Sequence, residues 1–263
     1  MKKGLFILVT AIIVIAIFWV GHPLSDEILT PTPDDPRIPK YERIEYEGNA
    51  FHVVYVNLQK QDLKMYYKNP AGQRYGSISS LQTELKNQGE NLVFATNGGI
   101  YAEDFSPLGL YIEDAEQISK LNTSKASTGN FFLQPNGVFE ISGDTHSIQT
   151  TSEWKAMDRQ SDYAVQSGPM LVIDGVINAK FTANSENKLI RSGVGSISNF
   201  EIVFVLSSDP VNFYEFASFF KDHLGASRAL YLDGTISDMY VDGVYLGNLQ
   251  GEYSTIIGVT IHE

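Results

Sequence analysis

The stretch "PMLVIDGVI", Pro169 to Ile177, places Asp174-Gly175 between two short apolar arms. A two-residue β-hairpin loop needs positive φ at both central residues, and Asp-Gly tolerates that well. Two further stretches show the same arrangement: "NFFLQPNGVFEI" around Asn136-Gly137 and "MYVDGVYLG" around Asp242-Gly243. Elsewhere lie "AFHVVYVNL", "NLVFATN", "PLGLYIED" and "EIVFVLSS", rich in β-branched and aromatic residues as strands are. Two segments break this pattern. "SISSLQTELKN", Ser77 to Asn87, carries Leu81 and Leu85 on one helical face and stops before Gly89. "NFYEFASFFKDHLG" opens with Asn212 and Glu215 in capping-box spacing, turns Phe213, Phe216, Phe220 and Leu224 inward, and ends at Gly225. Strands in runs with segregated helices predict an α+β fold: one compact domain of mainly antiparallel or mixed β-sheet with hairpins and a few helices.

That domain is expected over residues 41–263. Before it, "MKKGLFILVTAIIVIAIFWV" carries Lys2 and Lys3, then 17 uncharged residues from Gly4 to Val20. An apolar helix of this length reaches across a bilayer, and lysines stay on the cytoplasmic side. No small-x-small cleavage site follows, so residues 1–21 are expected to be an uncleaved transmembrane signal anchor. The domain would then sit outside a bacterial cytoplasmic membrane, on its periplasmic or outer side. Residues 22–40 hold five prolines in nineteen positions and predict an extended linker.

Composition excludes several chemistries. The chain has 263 residues, no cysteine and a formal charge of −12. Without cysteine there is no disulfide, thiolate nucleophile or Cys-ligated zinc. Without a basic face there is no nucleic-acid partner. The five histidines, at 22, 52, 146, 223 and 262, have no ligand-like spacing, so no metal and no cofactor is expected.

What remains is four short polar motifs at the ends of apolar strands. In "ATNGGIY", Asn97, Gly98 and Gly99 let backbone amides approach an anion. In "VQSGPM", Gln166 and Ser167 offer donors beside the Gly168-Pro corner. "LIRSGVG" holds Arg191, and "YLDGTIS" holds Asp233, Gly234 and Ser237. Together they supply amides and hydroxyls for sugar oxygens, one guanidinium for phosphate and one carboxylate.

In this order and spacing, with "SPLGLYIED" and "LNTSKASTGNFFLQPNGVF" between them, the motifs resemble the phosphodiester glycosidase family. The likeness spans nearly all of 41–263 and is greatest to membrane-anchored bacterial members. It implies an extracytoplasmic hydrolase that cleaves the C1–O bond of a sugar 1-phosphodiester in envelope glycans or related metabolites. Arg191 and the 97–99 amides would take the phosphate. Asp233 would be nucleophile, base for water or stabiliser of an oxocarbenium-like centre. Asn97, Gly98, Gly99, Gln166, Ser167, Gly168, Gly234 and Ser237 would line the substrate. Glu103, Asp104 and Asp238 are candidates for a second carboxylate. The family's second glycine after Asp-Gly is Thr235 here, which alters that pocket corner. The alternative is a non-catalytic glycan- or phosphopolymer-binding module, or an envelope scaffold.

Overall fold

Every strand pairing among the described residues is antiparallel. A computed structural model describes residues 35–125, 128–157, 160–234, 236–247 and 252–262. The expected anchor, most of the linker and Thr235 lie outside the described residues. Among the described residues no helix is long and apolar enough to cross a membrane. Residues 35–40 are not free spacer: the Gln61 side chain donates to Pro36 O at 2.6 Å, and Ile38 packs on the core.

Strands β1 (Lys40–Tyr46) and β2 (Asn49–Asn57) form a hairpin, followed by β3 (Asp62–Tyr66), helix α1 (Ile78–Asn87) and β4 (Glu90–Asn97). Next come β5 (Tyr111–Glu113), β6 (Glu116–Ser119), a 3-10 turn at Asn130–Phe132, β7 (Gly137–Ser142) and β8 (Thr145–Thr150). Helix α2 (Thr151–Ala156) leads to β9 (Tyr163–Ser167), β10 (Met170–Ile173), β11 (Val176–Ile177), β12 (Ser192–Ser196) and β13 (Glu201–Ser207). Helix α3 (Phe213–Ser218) and a π-helical turn, Phe219–His223, precede β14 (Arg228–Asp233), β15 (Asp238–Val241), β16 (Val244–Gly247) and β17 (Ile256–His262).

Three sheets result. The first runs β1-β2-β13-β12-β14-β10-β11, the second β16-β15-β4-β17-β3, and the third β6-β5-β9-β7-β8. Their inner faces share one core, in which Val54, Phe94, Phe139, Val194, Phe204, Leu230 and Ile257 meet. The first sheet is also covered outside by α3, which buries Phe216, Phe219 and Phe220 against Val203, Val205 and Tyr231. Burial on both faces explains why "IVFVL" in β13 is continuously apolar and does not alternate.

The hairpins at Asp174-Gly175 and Asp242-Gly243 form, with φ of 50° and 75°, and of 41° and 94°. Asn136-Gly137 is different. Asn136 is buried, donating to Phe131 O and accepting from Thr151 Oγ1, while Gly137 already pairs in β7. The hairpin closes one strand later, between Ser142 and Thr145. Asn212 and Glu215 make the expected capping box. The π turn then adds a residue to the helical repeat, so Phe219 faces the core as well as Phe220. Helix α2 was not expected, although Thr150 and Glu153 form a capping box that its sequence spells out.

Arg228 ties these elements together. It bridges Glu153 of α2 and Asp174 of the β10–β11 turn, at 2.8 and 2.7 Å. The Arg228 side chain beside Glu153 holds that carboxyl down at about 2. A depressed carboxylate stabilises the fold above its ordinary value near 4.5 and loses that contribution as pH falls toward 2. Glu153 is partly exposed, so solvent screening reduces the contribution to about 1 kcal/mol. Arg228→Met should therefore flatten the fall in thermal stability between pH 4.5 and pH 2, measured by thermal melts at each pH. An unchanged slope would show that the bridge contributes nothing.

Candidate active site

The end of β14 meets the end of β4, the end of β9 and the start of β12, so strands from all three sheets converge on Asp233. Ser192 at the start of β12 pairs in register with Asp233, and its Oγ donates to Asp233 O at 3.0 Å. The same Oγ receives Asn97 Nδ2 from the end of β4, also at 3.0 Å. Ser167, the last residue of β9, donates to Leu232 O at 2.8 Å and accepts the Ile100 amide at 3.3 Å. Ser237 Oγ closes the corner on Asp233 O at 2.7 Å. The Asp233 carboxylate is half-buried and accepts the Gly234 amide at 2.5 Å. Asp233 is thus held through its backbone by Ser192 and Ser237.

The glycines here are dictated by space. A Cβ on Gly98 would fall 2.0 Å from Thr255 Oγ1, and one on Gly99 2.8 Å from Gln166 O. Of the three amides in the turn, Gly98 donates to Thr255 O and Ile100 to Ser167 Oγ. The Gly99 amide is left without a protein acceptor among the described residues. Gly234 passes against the Tyr231 hydroxyl, with no room for a side chain. Gly168, in a cis peptide with Pro169, packs on Asn136, away from this corner.

The phosphodiester glycosidase family model matches residues 90–260, which hold all four motifs. This chain belongs to the phosphodiester glycosidase family. It is 41% identical over 204 residues to the uncharacterized protein YigE of Escherichia coli (strain K12), covering 78% of this chain and 79% of YigE. The catalytic domain of zebrafish N-acetylglucosamine-1-phosphodiester alpha-N-acetylglucosaminidase shares the fold. Its TM-score is 0.58 at 14% identity, over 86% of this chain and 82% of that one. A hypothetical protein from Synechocystis does so too, with a TM-score of 0.55 at 16% identity, over 85% of this chain and 62% of that one.

Within this phosphodiester glycosidase fold two expected substrate residues are structural. Gln166 is buried, and its amide is fully used. Oε1 accepts from the amides of Leu110 and Asn122, while Nε2 donates to Asn122 O and Thr151 Oγ1, all at 2.8–3.0 Å. Arg191 is fully buried as well. Strand alternation explains why. Ser192 points to Asn97, so Arg191, Gly193 and Gly195 point to the other face, under α3. Gly193 and Gly195 make room there for Phe216 and Phe220. The Arg191 guanidinium stacks 3.8 Å from the Phe213 ring, and donates to Val211 O at 2.7 Å and to Asn187 O at 3.0 Å. Burial pulls its proton affinity below the ordinary value. Toward the corner it makes a 3.5 Å contact with the Tyr231 hydroxyl, which itself lies against Gly234. Arg191 braces the wall behind Asp233, with its guanidinium buried among protein acceptors and the Phe213 ring.

Beside this corner two side chains are tied to the 252–253 segment. Tyr101 donates to Glu252 O at 2.9 Å, and Arg74 to Tyr253 O at 3.1 Å. The Tyr101 phenol is raised first by burial and next by the charge of Asp233, while Arg74 lowers it. Of the candidate second carboxylates, Glu103 and Asp104 are exposed, and Asp104 is tied to Ser106. Asp238 is buried beside the site: its amide donates to Asn97 Oδ1, and its carboxylate takes the Tyr253 hydroxyl. Ser192 lies in "LIRSGVG", next to Arg191, as a small polar residue with no local pattern to mark it. Arg74 lies in "AGQRYG", a loop with no strand to mark it. Among the described residues no group of three or more His, Asp or Glu is placed to hold a metal ion. Two surface clefts of about 600 and 650 Å³ lie elsewhere, around Asp62–Asp162 and around Gln82–Tyr240.

Proposed function

We propose that this chain hydrolyses the C1–O bond of a sugar 1-phosphodiester outside the cytoplasmic membrane. The observation that carries the reading is Asp233: a carboxylate on a backbone clamped by Ser192 and Ser237, at the corner where strands of all three sheets end. Family membership supports the reaction class. The leaving group is a phosphate monoester, stable as an anion, so the reaction needs charge stabilisation more than a strong acid. Asp233 offsets the positive charge that develops at C1. The Gly99 amide donates to substrate oxygen, and Asn97 and Ser192 hold the corner in place. The uncharged run from Gly4 to Val20 supports the location.

The test uses the full-length chain in detergent micelles with sugar 1-phosphodiesters and 4-nitrophenyl glycosides. An α-N-acetylglucosamine 1-phosphodiester comes first, because the zebrafish relative is named for that substrate. The expected products are the free sugar and a phosphate monoester. NMR of the first anomer formed reports how Asp233 acts: retention marks a nucleophile, inversion a base for water. Mass spectrometry of the same preparation is expected to show Gly4–Val20 still attached. Tight binding of phosphodiesters with no cleavage of any of them would favour the binding-module reading instead.

A further inference from the structure

With a formal charge of −12, this protein repels an anionic substrate unless a cation is placed locally for it. Arg191 is sealed under α3, so the guanidinium open beside the Asp233 corner is that of Arg74, about a quarter exposed. Its Cζ lies over the Phe105 ring, 4.0 Å from the ring centre, and Phe105 stacks on Tyr101 at 5.3 Å. Tyr101 follows two residues after Gly99, and Asn97 of that turn is bonded to Ser192 and so to Asp233.

The arrangement is held from several sides. Gly76 O accepts the Tyr253 amide while Tyr253 O accepts Arg74 Nη1, so the arginine's loop and the 252–255 segment clasp each other. That segment also binds Tyr101 through Glu252 O and Gly98 through Thr255 O. The loop carrying Phe105 is closed by Phe105 N donating to Ala102 O and Ala102 N donating to Ser106 O. It keeps Phe105 at φ 62°, in the left-handed region where an aromatic side chain is strained. Such strain persists where the surroundings over-determine it, and it concentrates at ligand clamps. Among the described residues Arg74 pairs with one carboxylate, Glu252, which is two-thirds exposed and lies at 3.5 Å, so water screens the pair. Most of the guanidinium's donors therefore remain usable.

We propose that Arg74, stacked on the Phe105–Tyr101 pair, is the residue that binds the phosphate of the substrate whose sugar carbon faces Asp233. This rests on the phosphodiester reading above. A guanidinium flattened on a ring presents its edge donors in one plane, which matches two phosphate oxygens, and a lysine lacks that fork.

The experiment compares the full-length chain with Arg74→Gln, Arg74→Lys and Phe105→Gly. Arg74→Gln should lower kcat/KM for sugar 1-phosphodiesters by about 100-fold, and for the 4-nitrophenyl glycoside of the same sugar by less than about threefold. Arg74→Lys should recover only a small part. Phe105→Gly suits the positive φ, so it should keep its melting temperature while raising KM for the phosphodiester by about tenfold. A purely structural role for Phe105 predicts the reverse, a lower melting temperature with KM unchanged. Calorimetric titration with the sugar 1-phosphate is run on each protein, and Arg74→Gln should lose most of the affinity. Phosphodiester cleavage by the wild type with Arg74→Gln equally active would overturn the proposal and leave the function standing. A wild type that cleaves simple glycosides alone would refute the function, and the titration then decides on Arg74. Equal binding by wild type and Arg74→Gln, or none by either, would overturn it.

Discussion

Asp233→Asn is expected to lower kcat for a sugar 1-phosphodiester by about 1,000-fold or more, with the fold intact. Asparagine keeps the size of the side chain and an oxygen for the Gly234 amide. The Ser192 and Ser237 bonds go to the backbone carbonyl of Asp233, so the substitution leaves them untouched. The melting temperature should therefore stay within about 3 °C, corresponding to no more than about 1 kcal/mol. What disappears is the negative charge opposite C1. Loss of a catalytic carboxylate shows in kcat, and a change confined to KM would mean Asp233 only binds substrate. A folded Asp233→Asn protein with full phosphodiester cleavage would reduce Asp233-Gly234 to an ordinary turn. The binding-module alternative predicts unchanged ligand affinity in this variant and no turnover in the wild type.

Gln166→Leu should instead damage the fold. The change leaves the amides of Leu110 and Asn122, the carbonyl of Asn122 and the Thr151 hydroxyl short of a partner in the buried junction of β5, β9 and α2. Each stranded buried group costs about 1–3 kcal/mol, so with all four near the low end a total of about 4–5 kcal/mol is expected. For a domain of this size that lowers the melting temperature by about 10 °C. Chemical denaturation checks the free energy, and steady-state kinetics below the transition check the role. KM of the folded protein should change by less than about threefold. A stable variant with a strongly raised KM would return Gln166 to the substrate-binding residues.

These two residues mark how far the sequence could be read. Asp233 stood out because a four-residue apolar strand ends on a carboxylate, a local pattern with no dependence on the rest of the chain. Gln166 was legible as a polar residue at a strand end, and its destination was not. Its four hydrogen bonds go to three residues, Leu110, Asn122 and Thr151, up to 56 positions away, and nothing in "VQSGPM" names them. Arg191 was read as a clamp for the same reason: a lone arginine between apolar residues looks alike whether it points to a ligand or beneath a helix. The Asn136-Gly137 hairpin failed on context too, since Thr151 and Phe131 recruit the asparagine that a turn would have exposed.

The sequence by itself determined the antiparallel α+β class, the hairpins at Asp174-Gly175 and Asp242-Gly243, helices α1 and α3 with their caps, and the family. Each rests on residues within a few positions of one another, where backbone geometry and hydrophobic period are decided locally. Only the tertiary structure decided which strand ends meet, which face of β12 carries Arg191, and that Arg74 meets Phe105 and, through it, Tyr101. The register of strands from three different sheets sets those placements, and register is a property of long-range packing that no single segment encodes.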